Sequence, residues 1–471
     1  MNKIYKIQTL KKYISAICTL CILTGICGCG ASPVTVSSAG MVKTGSLNVE
    51  TDPGYTNESP RQTVTDSFVS DDGSCRIDKY DFYYDVSLDY LNASPAEVGA
   101  AYAETILKAV PDYEELFEPY LYENIRGLFD GRELNYEALE DRIMTLEASI
   151  RDEYRSEIEA FARTIGKGSE GYLEDGKISY IEAVTMQMIP DALRPTACSA
   201  LTVGGSITET GERISLRNLE WNLGSTSQMT RIHSVTHMLK GDKTITSISI
   251  LGLLDMITAV NDDGVMIGIL DVGTVNEMPF VYDGKKCYTY EIRYALERFD
   301  NAYDAAVFLN GECGDFTWCH NLLVADAADA FCCEDPTSEA VEAGRAVPVI
   351  RTCDSPLMEG LIWDTPDALC IVNTYATAGN QDGFTGNPGE TIRFAKYNKW
   401  VKETGIFSVA DMKAIMAREI VDQYEVANVH NSGTVHTVIV DHATGDIHVA
   451  FTAGRCADDI PEYILVGNYG D

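Results

Sequence analysis

Apolar positions along this chain follow three regimes. Residues 29 to 78 are poor in them and rich in Ser, Thr, Gly and Pro, which predicts a flexible tether. Residues 79 to 197 are mainly helical in pattern. "SPAEVGAAYAETILKAV" opens with Ser94 three residues before Glu97 and with Pro95 at the first helical position, a capping-box start. In "YEALEDRIMTLEASIRDEYRSEIEAFAR", Leu139, Ile143, Leu146, Ile150, Ile158 and Phe161 recur at helical steps and line one face. A third apolar helix, "SYIEAVTMQMI", is predicted to end at Pro190.

From Cys198 the period becomes two. "CSALTVGG" and "RISLRNLEW" flank the turn-rich "SITETGE". "DMITAVNDDGVMIGILDVG" reads as two strands around Asn-Asp-Asp-Gly, a strong hairpin signal. "HNLLVADAADAFCCE" and "VHTVIVDHATGDIHVAFTAG" are two more candidate pairs. Helical stretches lie between them: "YTYEIRYALERFDNAYDAAVFLNG", "GETIRFAKYNKWVKETG" and "SVADMKAIMAREIVDQYE". Alternating strand and helix blocks predict an α+β fold, a four-layer α-β-β-α sandwich with helices outside antiparallel sheets. Residues 198 to 471 are long enough to bury a sizeable core.

The amino end changes the picture of location. Lys3, Lys6, Lys11 and Lys12 precede an apolar run from Tyr13 to Cys27, too short for the roughly 20 residues that span a bilayer. Residues 1 to 28 therefore read as a signal peptide. Its end, Ile26-Cys27-Gly28-Cys29, fits a bacterial lipoprotein signal, with Cys29 as the lipid-bearing residue. Several acyl chains on one Cys anchor stably where one does not. The expected location is the outer face of a bacterial cell membrane, held through the lipid alone. An ordinary secretory signal with an incidental Cys is the alternative.

The formal charge of −35 excludes nucleic acid as an expected partner. The fourteen cysteines and seven histidines show neither zinc spacing nor an HExxH motif, so no metal and no cofactor is expected. "GKGSEG", with Gly166, Gly168 and Gly171, follows a helix and not a strand, which reads as a loop and not a nucleotide site.

Cys198 is the candidate nucleophile. Folding the first hairpin about its midpoint, between Ile207 and Thr208, brings Arg217 alongside Cys198. A guanidinium there stabilises the reactive thiolate. No His stands in a recognisable Cys-His arrangement. Scission between Ala197 and Cys198 would supply a base instead: an α-amino group on the same residue, with an ordinary pKa of about 7.7–8.0. Arg194-Pro195-Thr196-Ala197 would then end a pro-segment. The plainer reading is that Cys198 is a small buried hydrophobe.

Cys198-Ser199, a short hairpin and then "RNLEW" resemble the N-terminal-nucleophile amidases of the linear-amide type. That family includes acid ceramidase, N-acylethanolamine acid amidase, the isopenicillin acyltransferase group and the choloylglycine hydrolases. "TAVNDDGVMIGILD", "HNLLVADAADAFCCE", "NTYATAGNQDGFTGNPGETIRFAKY" and "TVHTVIVDHATGDIHVAF" resemble later family motifs in order. The resemblance implies an N-terminal-nucleophile fold. It implies that Cys198 attacks the carbonyl of a small N-acyl amide and is acylated as a thioester. Arg217 would hold the thiolate. Glu220, where the family has Asp, and Asp271 would orient the α-amino group. Asn321 would donate to the oxyanion, and Arg393 would support the network. The long pro-segment points to the acid ceramidase-like or acyltransferase-like branches, with pro-segment and catalytic chain (198 to 471) remaining together.

Ser199 has no partner in this resemblance, and strand alternation turns His320 to the face opposite Asn321. Hydrolysis is favoured over acyl transfer outside a cell, where water is in excess. An acyltransferase, a catalytically silent surface-binding lipoprotein on the same fold, and an unrelated surface protein with a structural Cys198 stay open as alternatives.

Overall fold

A computed structural model describes residues 53–129, 135–193, 197–272, 280–311, 316–380, 388–419, 427–452 and 460–470. The signal peptide, Cys29 and residues 194–196 before Ala197 lie outside them.

Three strands come first: β1 (Asp66–Val69), β2 (Cys75–Lys79) and β3 (Tyr84–Asp89). The tether expected over 29–78 is therefore overturned for its described end. The alternation that buries Cys75 and Ile77 was hidden in a polar context. Upstream of β1, Tyr55 Oη donates to Pro461 O at 2.7 Å, and Leu465 N donates to Pro60 O at 3.0 Å.

The helices follow: α1 (Pro95–Ala109), α2 (Tyr113–Phe129), α3 (Tyr136–Ser149), α4 (Asp152–Gly166) and α5 (Tyr180–Met186). The capping box at Ser94 and Glu97 is present. The long periodic run is two helices, because Ile150 is extended (φ −70, ψ 145) and ends α3. A π-helical turn, Ile189–Leu193, carries the chain through Pro190 toward the Cys198 region.

The strand-rich part runs β4 (Ala197–Val203), β5 (Ile214–Glu220), β6 (His233–Lys240), β7 (Lys243–Ile250), β8 (Thr258–Asn261) and β9 (Met266–Asp271). Helices α6 (Tyr288–Arg298) and α7 (Ala302–Gly311) come next, then β10 (His320–Ala325), β11 (Ala330–Asp335), α8 (Ser338–Glu342), β12 (Val349–Arg351) and β13 (Ala368–Ile371). The chain closes with α9 (Pro388–Thr404), α10 (Val409–Ala417), β14 (Thr434–Asp441), β15 (Asp446–Phe451) and β16 (Ile464–Asn468).

All four expected hairpins form: β8–β9, β10–β11, β14–β15 and, in a shifted register, β4–β5. In the first, Gly264 at φ +82 follows Asn261, whose side chain accepts from Val265 N at 2.9 Å. Only glycine takes that left-handed conformation without strain.

The strands make a ten-stranded sheet, β1-β2-β3-β6-β7-β8-β9-β10-β11-β12, and a six-stranded sheet, β13-β4-β5-β14-β15-β16. Their inner faces meet through Cys198, Ala200, Leu219 and Val438 of the smaller sheet and Leu270, Leu323 and Cys332 of the larger. The outer face of the smaller sheet packs Leu201, Leu216 and Ile439 against Phe394, Tyr397 and Met412 of α9 and α10. On the outer face of the larger sheet, Cys333 Sγ reaches Ala306 O of α7 and Asn261 Nδ2 reaches Leu296 O of α6. Helix, sheet, sheet, helix is thus the layer order, an α+β fold as expected.

The segment before Cys198 is built into these layers. β3 pairs parallel with β6, and Arg293 of α6 forms a buried ion pair with Glu157 of α4 at 2.8 Å.

Candidate active site

Cys198 is fully buried on β4, on the face that meets the larger sheet. Its pairing partner on β5 is Leu219, and Arg217 stands opposite Ala200. The register is two residues away from the one expected, so Arg217 is diagonal to Cys198 and not beside it. A two-residue slip keeps the face, and a long side chain spans a diagonal of about 7–8 Å. Arg217 Nη2 donates to Cys198 Sγ at 2.9 Å and to Ile269 O at 2.8 Å.

The close approach of the sheets depends on Gly268, where an added Cβ would stand 2.9 Å from Arg217 Cγ. Burial lowers the Arg217 pKa, against the pull of Cys198, Asp271 and Glu220. A buried guanidinium favours negative charge on the sulfur it touches. Arg217 Nε and Nη1 have no hydrogen-bond partner among the described residues.

The backbone nitrogen of Cys198 has its own acceptor. It donates to Asn373 Oδ1 at 2.7 Å, and Arg393 Nη2 donates to the same oxygen at 2.7 Å. Asn373 Nδ2 donates to Asp271 O at 2.6 Å. Arg393 Nη2 also meets Glu390 Oε2 at 2.7 Å, and its Nη1 meets Glu220 Oε2 at 3.1 Å. Glu220 is the pairing partner of Ala197, so its backbone lies across from the expected scission point.

Burial pushes the Glu220 carboxyl up to about 7, opposed by Arg393 and reinforced by Glu390. For Arg393, burial works to lower the pKa, but Glu390 and then Glu220 outweigh it and hold the guanidinium charged.

Asp271 and Asn321 are placed differently from their expected roles. Asp271 pairs with His320, so its side chain leaves the sheet on the face of His320 and not that of Asn321. Its carbonyl oxygen holds Asn373, and its negative charge reaches both Arg217 and Tyr288. Asn321 Nδ2 donates to Val372 O at 2.9 Å and to Thr374 O at 3.0 Å. Both amide hydrogens are thus committed to the turn that carries Asn373, and in this arrangement no oxyanion donor is free on Asn321.

Asn373, Glu390 and Asn431, whose Nδ2 donates to Glu220 Oε1 at 3.0 Å, were missed by the sequence reading. Glu390 had a signal: it precedes Arg393 by three positions on a helix, where side chains meet. The other residues fall as read. Ser199 turns away to Tyr397 Oη at 2.8 Å, and His320 packs beside Tyr288 with ring centroids 4.7 Å apart. "GKGSEG" follows α4, a helix. His436 lies in the row of Cys198 with Leu219 between them. Burial, then Arg217 and His233, keeps it neutral.

Among the described residues no group of three or more His, Cys, Asp or Glu side chains is placed to hold a metal ion, and no helix is long and apolar enough to cross a membrane.

No protein-family model matches this chain, and no curated protein matches it. Among solved structures it is similar to the Caenorhabditis elegans ortholog of N-acylethanolamine-hydrolyzing acid amidase (12% identity, 52% of this chain and 92% of that chain, TM-score 0.35). It is also similar to a mutant of the conjugated bile acid hydrolase from Clostridium perfringens (10% identity, 58% and 94%, TM-score 0.37).

Proposed function

We propose that this chain is an N-terminal-nucleophile amidase of the linear-amide type, made by its own scission between Ala197 and Cys198. One observation carries the reading: Cys198 presents Sγ to Arg217 at 2.9 Å while its backbone nitrogen rests on the Asn373 carboxamide oxygen at 2.7 Å. Sulfur and nitrogen of one residue each have a dedicated partner, which a merely buried thiol does not need.

In the scission, Sγ attacks the Ala197 carbonyl carbon. The C–N bond breaks, Ala197 becomes a thioester on Sγ, and the thiol proton passes to the departing nitrogen, which with its own amide proton becomes the amine. Water then releases the Ala197 carboxylate. The freed amine stays on Asn373 Oδ1, which Arg393 links to the Glu220 carboxylate.

For an N-acyl amide, the amine takes the thiol proton. The thiolate forms the acyl thioester, and the ammonium protonates the departing amine. Water, deprotonated by the same amine, completes the cycle. Arg217 holds the sulfur's charge, and its unpartnered Nε and Nη1 are available to an acceptor beside it. On this reading the enzyme works outside the cell, lipid-anchored through Cys29.

The test is mass spectrometry of purified protein with Cys198→Ala as control, followed by assay on N-acyl amides of graded acyl length. Wild type should give a fragment beginning Cys198-Ser199-Ala200 and should hydrolyse at least one amide. The variant should remain one chain. An intact wild-type chain with amidase activity would overturn the scission. A cleaved chain that transfers acyl groups to added amines faster than to water would make it an acyltransferase.

A further inference from the structure

The residues that place Asn373 are not on its own strand. Thr374 N donates back to Val372 O at 2.8 Å, so Asn373 sits at the tip of a tight turn just past β13. The pairing with β4 stops at Ile371, and among the described residues ladder contact resumes only at the isolated bridge between Leu357 and Thr377. The carbonyls on either side of it are both taken by Asn321.

The next residues are taken by Glu334, which pairs with Asn321 across β10 and β11. Glu334 Oε1 accepts from Ala376 N at 2.9 Å and from Thr377 N at 3.0 Å, and Oε2 accepts from Asn380 Nδ2 at 2.8 Å. Oε1 also accepts from Arg351 Nε at 3.0 Å, and Arg351 Nη2 donates to Cys370 O on β13. Asn380 Oδ1 in turn accepts from Val347 N.

Glu334 and Asn321 are both fully buried. Burying a carboxylate is costly unless its oxygens are satisfied. Here the satisfying groups are the backbone N–H groups of Ala376 and Thr377, the Asn380 carboxamide and Arg351, while Asn321 binds the Val372 and Thr374 carbonyls of the same stretch, 372 to 380. Two adjacent side chains of the larger sheet thus grip a segment attached to the smaller one.

We infer that Glu334 and Asn321 form a clamp that sets the Asn373 carboxamide against Cys198 N, and that Glu334 is a positioning residue for the chemistry at Cys198. It touches neither the sulfur nor the reacting carbonyl. It acts at a distance of several residues, by fixing where the 372–374 turn stands relative to β4. The inference rests on the amidase reading, and it gives Asn321 a structural office beside Asn373 in place of oxyanion donation.

The clamp predicts a distinctive pattern. Glu334→Gln keeps the shape but places an amide nitrogen where one set of donors arrives. Misplacement of a catalytic group by about 1 Å costs on the order of 100-fold in rate. The self-cleavage rate and kcat should therefore fall by about that factor, with KM changed by less than about twofold, since no substrate contact is lost. Glu334→Asp, which keeps the charge but withdraws it by one methylene, should be intermediate.

The decisive measurement is a double-mutant cycle. In a chain already carrying Asn373→Ala, adding Glu334→Gln should slow the residual rate by less than about twofold, because its effect runs through Asn373. Full additivity of the two losses would overturn the inference, as would a Glu334→Gln chain that cleaves and turns over at the wild-type rate. If Glu334→Gln does not fold, Asn380→Ala removes one strand of the grip and is read in the same cycle. A wild-type chain with no activity would overturn the amidase reading itself, a result distinguishable from failure of the clamp.

Discussion

Glu220 shows how one buried carboxyl ties stability and activity to pH in opposite senses. Its carboxyl is pushed from the model-compound value of 4.5 up to about 7, first by burial. Between those values the folded chain keeps a proton that the unfolded chain has released. Stability from this group is therefore greatest below pH 4.5 and is lost as pH rises through about 7. On the proposed mechanism chemistry would run the other way, because an ionised Glu220 would offset the positive charge that Arg393 and an ammonium on Cys198 bring to Asn373. We expect amide turnover to rise with pH through about 7. Glu220→Gln should flatten that limb and lower the rate, and Glu220→Asp should keep the limb at reduced amplitude. A pH–rate profile unchanged in Glu220→Gln would remove Glu220 from the mechanism.

At the scale of elements, close packing is set by single glycines. Gly99 of α1 lies so near α4 that an added Cβ would stand 2.2 Å from Glu157 O. Backbone cannot yield as a flexible side-chain end can, so Gly99→Ala must part the two helices. Overpacking of this kind costs about 1–3 kcal/mol. The thermal midpoint should fall by several degrees, whereas Ala101→Gly on the same helix should cost about 2 kcal/mol, roughly half through propensity and half through lost methyl burial. Equal midpoints for Gly99→Ala and wild type would mean that the helices are not in contact as described.

What the sequence disclosed at this scale follows from distance along the chain. Hairpins and caps are local, so β8–β9, β10–β11, β14–β15 and the Ser94 cap were readable from adjacent residues. The pairing of β3 with β6 joins residues 84–89 to 234–239, and no periodicity reports that. The same holds for the site. Cys198 and Arg217 share a hairpin and were legible to within a two-residue slip. Asn373 meets Cys198 only through tertiary structure. Glu334 looked like one more strand carboxylate until its partners 42 to 46 positions away, two backbone N–H groups and the Asn380 carboxamide, were seen.

At the scale of the molecule, scission at Cys198 would cut the covalent link without cutting the fold. Residues before the break supply β1–β3, three of the ten strands of the larger sheet. They also supply the Glu157–Arg293 ion pair and the Tyr113 Oη bond to Leu251 O. At the far end Lys413 Nζ holds the carbonyls of Thr56, Asn57 and Glu58 at 2.8–3.2 Å. The two fragments should therefore co-elute as one species in native buffer and separate only in denaturant. Refolding tells more. In an uncut Cys198→Ala chain, joining β3 to β6 closes a loop, whose entropic cost grows only slowly with length. In the cleaved protein the same pairing is an encounter between two molecules, and its yield depends on concentration. Cys198→Ala should recover its native circular dichroism after dilution from denaturant at any protein concentration that avoids aggregation. Cleaved wild type should recover less as it is diluted further. Equal, concentration-independent recovery in the two would show that the segment before Cys198 contributes little to the folded state. The parallel pairing of β3 with β6 would then be an accessory, and the pro-segment could be removed without loss of the catalytic layers.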